Sequence, residues 1–233
     1  SSSSVLSRSV TEQFRQFSRN NPPSDFDLCV GVVNFITKTN RTCAGLCSNF
    51  LKEAHIGQRI SCGLEAGSLK LPALHVPMIL VCPGTGLSPC RSLLQQRHLQ
   101  LLSSAASVKS RFGTGLKDLL FLGFRHQDGD FLYGDEWGAF SEWLAVHVAF
   151  SRDHEDKKVY VQDLIEEQGA HVCRLLKAGA VIFVCGRSHP MPSQVFDSFC
   201  EVLQMHEGMT AEEASAQLRT MQRTQKYICD TWG

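Results

Sequence analysis

The stretch from Met78 to Pro89, MILVCPGTGLSP, joins a short apolar run to a glycine-rich turn and to residues that can begin a helix. Continuous apolar runs of this kind are typical of parallel strands that are buried on both faces. The glycines of Gly84-Thr85-Gly86 allow a tight turn directly after the strand. The stretch therefore predicts the first strand–turn–helix unit of an α/β domain.

The same alternation of apolar runs and amphipathic segments continues to the end of the chain. Further strands are predicted at Leu119–Phe124, Leu144–Phe150, Ala180–Cys185 and Lys226–Trp232. Apolar spacing predicts helices at Ser88–Ser104, Phe131–Trp143, Tyr160–Leu176, Met191–Met205 and Thr210–Thr224. This order predicts an α/β fold, with a parallel sheet that is covered by helices on both faces.

Upstream of residue 75 the sequence is strand-like and is interrupted by turn-forming residues. Strands are predicted at Asp27–Ile36, Arg59–Cys62 and Ser68–Leu71, with a short helix at Cys47–Ala54 and a turn at Asn20–Ser24. The change of pattern predicts two domains, residues 1–74 and residues 75–233.

Composition excludes several classes of protein. Lys and Arg together number 23, as do Asp and Glu, and this balance argues against a nucleic-acid-binding protein. No apolar run reaches the roughly 20 residues that cross a membrane, and Ser1 to Ser9 has no apolar segment typical of a secretory signal. The ten cysteines are scattered without a C-x-x-C pair, which argues against structural zinc and favours reduced thiols in a cytoplasmic protein.

Polar and cationic residues follow several of the predicted strands, at the edge where an α/β sheet binds ligands. Gly84-Thr85-Gly86 could let the backbone approach a pyrophosphate, or could be a plain strand-to-helix turn. Ser151 and Arg152, followed by Lys158, Tyr160 and Gln162, suit the 2′-phosphate of NADP, although a solvated charged loop fits the same residues.

Two residues near other strand ends allow both a structural and a functional interpretation. Cys185 ends an apolar strand, so it is either a core cysteine or a thiol that lies beside a nicotinamide. Trp232 either anchors the end of the chain or stacks on a flat ring.

Taken together, these motifs resemble the ferredoxin–NADP reductase superfamily, and its diflavin branch most closely. The resemblance rests on Pro83-Gly84-Thr85-Gly86-Leu87-Ser88-Pro89, Phe131-Leu132-Tyr133, Ser151-Arg152, Lys158-Val159-Tyr160-Val161-Gln162, Cys185-Gly186 and Asp230-Thr231-Trp232. It implies a partial antiparallel FAD-binding barrel in residues 1–74 and an NADP-binding α/β domain in residues 75–233.

The resemblance also implies roles for particular residues. In Arg15-Gln16-Phe17-Ser18, Arg15 would contact the FAD phosphate, Phe17 would stack on the isoalloxazine and Ser18 would bond near N5. Gly45-Leu46-Cys47-Ser48 would bind the pyrophosphate. Around the site of hydride transfer the resemblance places Ser18, Cys185 and Asp230, with Trp232 over the flavin.

Some positions depart from the family pattern. Arg187 follows Cys185-Gly186 where the family often has an acidic or amide residue, and Gln194 replaces an Asp in the NADP site. One extra residue after Arg152 makes Lys157 a competitor of Lys158 for the phosphate.

In functional terms the resemblance implies hydride transfer from NADPH to FAD. Electrons would then pass to an FMN domain, or to an anamorsin-type iron–sulfur protein in cytosolic iron–sulfur cluster assembly. The chain is expected to lack the FMN domain, the connecting insert and the first barrel strands. Two alternatives remain open: an NADPH-binding chain without turnover, and a single-flavin enzyme of the cytochrome b5 reductase type.

Overall fold

A computed structural model of the chain describes residues 26–63, 67–104, 116–153 and 158–232. The predicted turn at 20–24, the flavin motif Arg15-Gln16-Phe17-Ser18 and Lys157 lie outside these ranges. The chain divides into a smaller unit within residues 24–68 and a larger unit that begins at Leu69.

The smaller unit contains a hairpin followed by a short helix. Strands β1 (Asn34–Ile36) and β2 (Thr42–Ala44) pair antiparallel, and helix α1 covers Leu46–Glu53. The hydroxyl of Ser48 accepts a hydrogen bond from the Val33 backbone N–H at 3.1 Å and ties the helix to the residue before β1. Ser48 is the only buried residue among the described residues 26–63, whereas large apolar side chains such as Phe35 are exposed.

The strand predictions in this unit were partly wrong. The strand predicted at Asp27–Ile36 forms only at its last three residues, and residues 59–62 and 68–71 are not strands. A stretch rich in β-branched residues forms a strand only where a neighbouring strand completes its hydrogen bonds. In the described part of this unit, β1 and β2 are the strands that pair in this way. The helix predicted at Cys47–Ala54 is confirmed.

The larger unit is built on a five-stranded parallel sheet, as predicted. Its strands are β3 (Met78–Pro83), β4 (Asp118–Phe124), β5 (Leu144–Phe150), β6 (Val181–Arg187) and β7 (Tyr227–Trp232), in the spatial order β5-β4-β3-β6-β7. The three central strands are almost completely buried, which explains their continuous apolar sequences. The α/β class is thus confirmed.

Helices cover both faces of this sheet. They are α2 (Leu87–Ser103), α3 (Gln127–Asp130), α4 (Val161–Glu167), α5 (Gly169–Lys177), α6 (Met191–Glu207) and α7 (Ala211–Arg223). One core lies under α4 to α7 and contains Ile79 and Phe121; the other lies under α2 and contains Leu80 and Phe183. Burial of each such side chain contributes about 1.5–3 kcal/mol, which makes these two cores the main source of stability.

Two helix predictions need correction. Residues Phe131–Trp143 do not form one helix, because Tyr133 has a left-handed backbone (φ 56°) and a 3₁₀ helix follows at Gly134–Phe140. The helix predicted at Tyr160–Leu176 is divided at Gln168 into α4 and α5. A Cβ on Gly169 would overlap the ring of His206 on α6, so the break lies where two helices approach closely.

A buried arginine attaches the segment before β3 to the larger unit. Arg97 on α2 is fully buried and donates hydrogen bonds to the backbone carbonyls of Pro72, Ala73, Leu74 and Val76 at 3.0–3.4 Å. Residues 69–76 therefore pack with the larger unit, and the chain divides nearer to residue 69 than to residue 75.

Candidate functional site

The chain reverses its direction across the sheet between β3 and β6. From β3 it proceeds through β4 to β5 on one side, and it then returns to β6 and continues to β7 on the other. Connections that diverge in this way leave a crevice at the carboxyl ends of the two strands, where α/β proteins bind ligands. The turn Gly84–Gly86 and the end of β6 at Arg187 both lie at this crevice.

The two strand ends at the crevice are packed directly against each other. A Cβ on Gly86 would overlap the carbonyl oxygen of Cys185, so only glycine fits there. Gly186 has φ 143°, and a Cβ on it would lie 3.3 Å from the carbonyl oxygen of Pro83. Gly84, by contrast, has φ 60° and open space above its Cα. These close contacts fix the turn in place while its first residue faces free volume.

A cleft of about 850 Å³ opens at this edge of the sheet. This volume lies within the range of cofactor sites in proteins, about 300–1,000 Å³. Seven of the residues that we predicted from sequence line the cleft, namely Gly84, Ser151, Val159, Tyr160, Val161, Gln162 and Gln194. The structure therefore brings together residues that are up to 110 positions apart in the chain, since 194 minus 84 is 110.

One wall of the cleft is formed by the ends of β4 and β5. The Ser151 backbone N–H donates to the Phe124 carbonyl at 2.9 Å, and the Arg152 N–H donates to the Arg125 carbonyl at 2.9 Å. The Asp130 carboxylate accepts hydrogen bonds from the backbone N–H groups of Arg125 and His126, at 2.8–3.2 Å. The main chain beneath the cationic side chains is thus held by several hydrogen bonds.

The opposite wall is formed by the first turns of α4 and α6. The Tyr160 N–H donates to the Asp163 carboxylate at 2.6 Å, and this hydrogen bond caps the N-terminus of α4. The Gln162 side-chain amide donates to the Gln194 carbonyl oxygen at 3.1 Å and joins the two helices. Asp197 and Glu201 extend this wall along α6. Burial, together with the neighbouring Glu201 carboxylate, raises the pKa of Glu166 on α4, which lies outside the residues that line the cleft.

Of the cationic residues singled out from the sequence, some line the cleft and others lie beside it. Arg152 and Lys158 are exposed and are not among the residues that line the cleft, although their neighbours Ser151 and Val159 are. Arg125 and Arg187 do line it, and neither guanidinium forms an ion pair with a described residue. Sequence reasoning did not select Arg125. It directly follows an apolar strand, so the same strand-end rule that selected Arg152 could have found it.

Cys185, Asp230 and Trp232 lie at the ends of β6 and β7. The strand register pairs Cys185 with Asp230 and Arg187 with Trp232, so the first two are neighbours in the sheet. Cys185 is fully buried, and its thiol hydrogen-bonds with that of Cys90, which in turn contacts Cys82. The Cys90 contact and burial raise the pKa of Cys185, so its sulfur keeps its proton at neutral pH. The Trp232 ring is 43% exposed.

In the smaller unit, Gly45 precedes α1, as the predicted phosphate turn requires. The Ser48 hydroxyl already accepts from Val33 and donates to the Gly45 carbonyl at 3.4 Å. Leu46 and Cys47 are exposed, and the first turn of α1 carries no acidic side chain. The helix therefore offers backbone N–H donors to an anion, while the Ser48 side chain serves the local fold.

Among the described residues, no group of three or more His, Cys, Asp or Glu side chains is arranged to hold a metal ion. None of the described helices combines the length and the apolar character needed to cross a bilayer.

Comparison with known proteins assigns this architecture to a class. Residues 80–195 match the oxidoreductase NAD-binding domain, which assigns the larger unit to that class of domain. The chain is 35% identical over 222 residues to NADPH-dependent diflavin oxidoreductase 1 of Arabidopsis thaliana, covering 90% of this chain and 34% of the relative. The protein of the same name from Mycosarcoma maydis is 34% identical over 218 residues, covering 91% and 32%.

A third relative of that name, from Mus musculus, is 32% identical over 220 residues, with 90% and 34% covered. The chain is similar over about 90% of its length to NADPH-dependent diflavin oxidoreductases, and the resemblance inferred from its motifs is confirmed. It spans about a third of the length of these curated relatives.

Proposed function

We propose that the chain is the nucleotide- and flavin-binding part of an NADPH-dependent flavoprotein reductase. The observation that carries this proposal is the cleft at the crossover between β3 and β6, which combines an open glycine turn with two guanidinium groups that form no ion pair with a described residue. A dinucleotide fits the size of such a cleft, and its charged diphosphate suits the two guanidinium groups beside the glycine turn.

The residues of the cleft suit particular parts of NADPH. Gly84 has free space where a phosphate could approach the backbone, next to the first turn of α2. Ser151, Tyr160 and Gln162 would hold the adenosine end with a hydroxyl, an aromatic ring and an amide. Arg152 and Lys158, exposed beside this group, would close on the 2′-phosphate when it binds.

The smaller unit would bind the phosphates of FAD through the backbone N–H groups at Leu46 and Cys47. The residues present fit this end of FAD, because no acidic side chain opposes it. By resemblance, Arg15, Gln16, Phe17 and Ser18 would hold the rest of the flavin.

NADPH would supply the hydride and FAD would accept it, and the chain itself positions these groups. Cys185 would keep a neutral thiol, with a proton on its sulfur, because it is buried against Cys90. Asp230 lies beside it in the ladder and places a carboxylate near the same strand end. Trp232 has an exposed ring that could cover a flat group.

We further propose that electrons leave the flavin one at a time, through an FMN domain, to an acceptor. By resemblance the acceptor is an anamorsin-type iron–sulfur protein in cytosolic iron–sulfur cluster assembly, which would place the activity in the cytoplasm. This proposal is supported by the relatives, whose names describe them as diflavin oxidoreductases.

The second candidate is an NADPH-binding chain without turnover. It is favoured by the smaller unit, where the described residues 26–63 bury Ser48 and leave apolar side chains such as Phe35 and Ile36 exposed. A flavin site that rests on such a unit could release FAD.

One measurement separates these candidates. The purified chain is examined for flavin absorbance and for ferricyanide reduction with NADPH and with NADH. A yellow protein that uses NADPH in preference to NADH supports the reductase, whereas a colourless protein that binds an NADP-affinity resin supports the second candidate. A yellow protein that prefers NADH would instead favour a single-flavin reductase of the cytochrome b5 type.

The role of Arg152 has its own test. Arg152→Ala is expected to raise the KM for NADPH about 10-fold, because one charge-assisted contact to the 2′-phosphate is lost, and to leave the KM for NADH unchanged. Arg174→Ala is the matched control, since Arg174 is exposed on α5 and does not line the cleft. Equal effects of Arg152→Ala on both nucleotides would contradict a 2′-phosphate site at this position.

A further inference from the structure

The last residue of β6 is Arg187, and its guanidinium pairs with none of the described carboxylates. Arg187 is exposed and lines the cleft. Its main chain is nevertheless well fixed, since it pairs with Trp232 in the ladder and the Ser188 N–H donates to the Trp232 carbonyl at 2.9 Å. A guanidinium on a fixed backbone that faces a cleft is suited to bind an anion.

The position of Arg187 relative to the glycine turn indicates which anion. Gly86 packs on the Cys185 carbonyl, and Gly186 lies against the Pro83 carbonyl, so Arg187 follows directly on the residues that contact the turn. Its Cα is therefore close to Gly84, and both residues line the same cleft. A long side chain at this point can reach the free space above Gly84.

A second cation stands on the other side of the same turn. The sheet order places β3 between β4 and β6, and Arg125 follows the last residue of β4. Neighbouring strands are about 4.8 Å apart, so the main chains that carry Arg125 and Arg187 flank the turn at about 10 Å from each other. Two guanidinium groups at this spacing can bind a diphosphate between them, each contacting one phosphate.

Two of the four carboxylates that line the cleft, Asp197 and Glu201, are set back from this point. Asp197 and Glu201 lie six and ten residues into α6, counted from Met191. With a rise of about 1.5 Å per residue, they stand about 9 and 15 Å along the helix from its start, whereas Arg187 precedes the helix. These two carboxylates are thus separated from Arg187. The other two that line the cleft, Asp130 and Asp163, accept hydrogen bonds from the backbone N–H groups of Arg125 and Tyr160.

We infer that Arg187 is a positioning residue that binds the diphosphate of the nucleotide across the glycine turn, opposite Arg125. This inference rests on the proposed function and specifies one contact within it. It assigns the two ends of the nucleotide to different cations, with Arg187 at the diphosphate and Arg152 at the 2′-phosphate.

The test compares ligands that contain one phosphate group or the other. Binding of NADP⁺, ADP-ribose and 2′-AMP to the full chain is measured by calorimetry. Arg187→Gln is expected to weaken NADP⁺ and ADP-ribose about 10-fold and to change 2′-AMP less than about 2-fold. Arg152→Gln is expected to show the opposite pattern, weakening NADP⁺ and 2′-AMP while leaving ADP-ribose unchanged.

Two further variants exclude simpler explanations. Arg174→Gln removes one positive charge from α5, away from the cleft, and should leave all three affinities unchanged. Arg187→Lys keeps the charge but loses the bidentate fork, so it should recover part of the affinity. Both Arg187 variants should melt close to wild type, because the side chain is exposed.

The outcomes are distinct. If wild type binds NADP⁺ and Arg187→Gln binds it equally tightly, or if that variant weakens 2′-AMP as much as ADP-ribose, the inference is overturned and the proposed function stands. If wild type binds none of the three ligands, the proposed function fails and the inference fails with it.

Discussion

Replacing Gly86 by alanine is expected to force apart the ends of β3 and β6. The added Cβ would overlap the Cys185 carbonyl oxygen and would lie 2.6 Å from the carbonyl carbon and 2.9 Å from the Cα of Gly186. All of these atoms belong to the backbone, so no side chain can rotate away. The change therefore acts on the main chain of the sheet.

The size of the effect follows from the distances. Carbon atoms in ordinary contact are about 3.5 Å apart, so the carbonyl carbon at 2.6 Å must move by about 0.9 Å. Overpacking of this kind costs about 3 kcal/mol, near the upper end of the usual range. For a unit of this size, that loss lowers the melting temperature by about 6–12 °C.

The same displacement moves the turn that would bind the diphosphate, so NADP⁺ should bind about 10-fold more weakly, or worse. Circular dichroism melts and calorimetric titration of the same preparations measure both effects. A Gly86→Ala variant that melts within about 2 °C of wild type and binds NADP⁺ equally well would show that the two strand ends are not rigidly packed.

Two other glycines serve as controls for the melting measurement. Gly84→Ala meets no atom within 4 Å but must keep φ 60°, so only backbone strain of about 1–2 kcal/mol is expected. Gly138→Ala lies in open space without a positive φ and should be neutral, or stabilising by about 0.5 kcal/mol.

Three further predictions concern other parts of the larger unit. Arg97→Met removes the donor that holds the carbonyls of residues 72–76; it should cost about 3 kcal/mol in urea unfolding and expose that segment to limited proteolysis. Burial raises the pKa of the Tyr227 phenol, so the folded state keeps a proton that the unfolded chain releases above about pH 10. Stability should therefore fall as the pH rises beyond that value, and Tyr227→Phe should remove this loss in unfolding curves recorded from pH 9 to 11. Gln194→Asp should weaken NADP⁺ binding about 5-fold at low salt and less at high salt, because it replaces the amide that accepts from Gln162 with another negative charge; an effect independent of salt would contradict this electrostatic explanation.

The parallel sheet could be predicted from sequence because its strands are specified by their own composition. Each central strand is a continuous apolar run that ends at glycine or at charge, and the order of strands and helices then restricts the topology. The residues 131–143 were mispredicted as a helix for a different reason. Glu136 forms two hydrogen bonds of 2.7 Å with Arg91, 45 positions away, and this pairing cannot be read from local periodicity.

The residues that line the cleft could also be predicted only in part from the sequence. Seven of the residues selected from the sequence line the cleft, and two of these, Gly84 and Ser151, directly follow strands. The strand-end rule does not say which of two neighbouring side chains faces the cleft. Ser151 lines it, whereas Arg152, the next residue, does not, since that choice depends on how the ends of β4 and β5 are bonded to each other.

The contact among Cys82, Cys90 and Cys185 has a practical consequence for following motions of the protein. These thiols come from β3, α2 and β6, and all three are fully buried, whereas Cys47, Cys62 and Cys229 are exposed. A maleimide reagent would modify the exposed group at once and would reach the buried group only when the ends of β3 and β6 separate from α2. The rate of the slow phase of alkylation, measured by mass spectrometry on the wild-type chain, would then report how often this edge of the sheet opens.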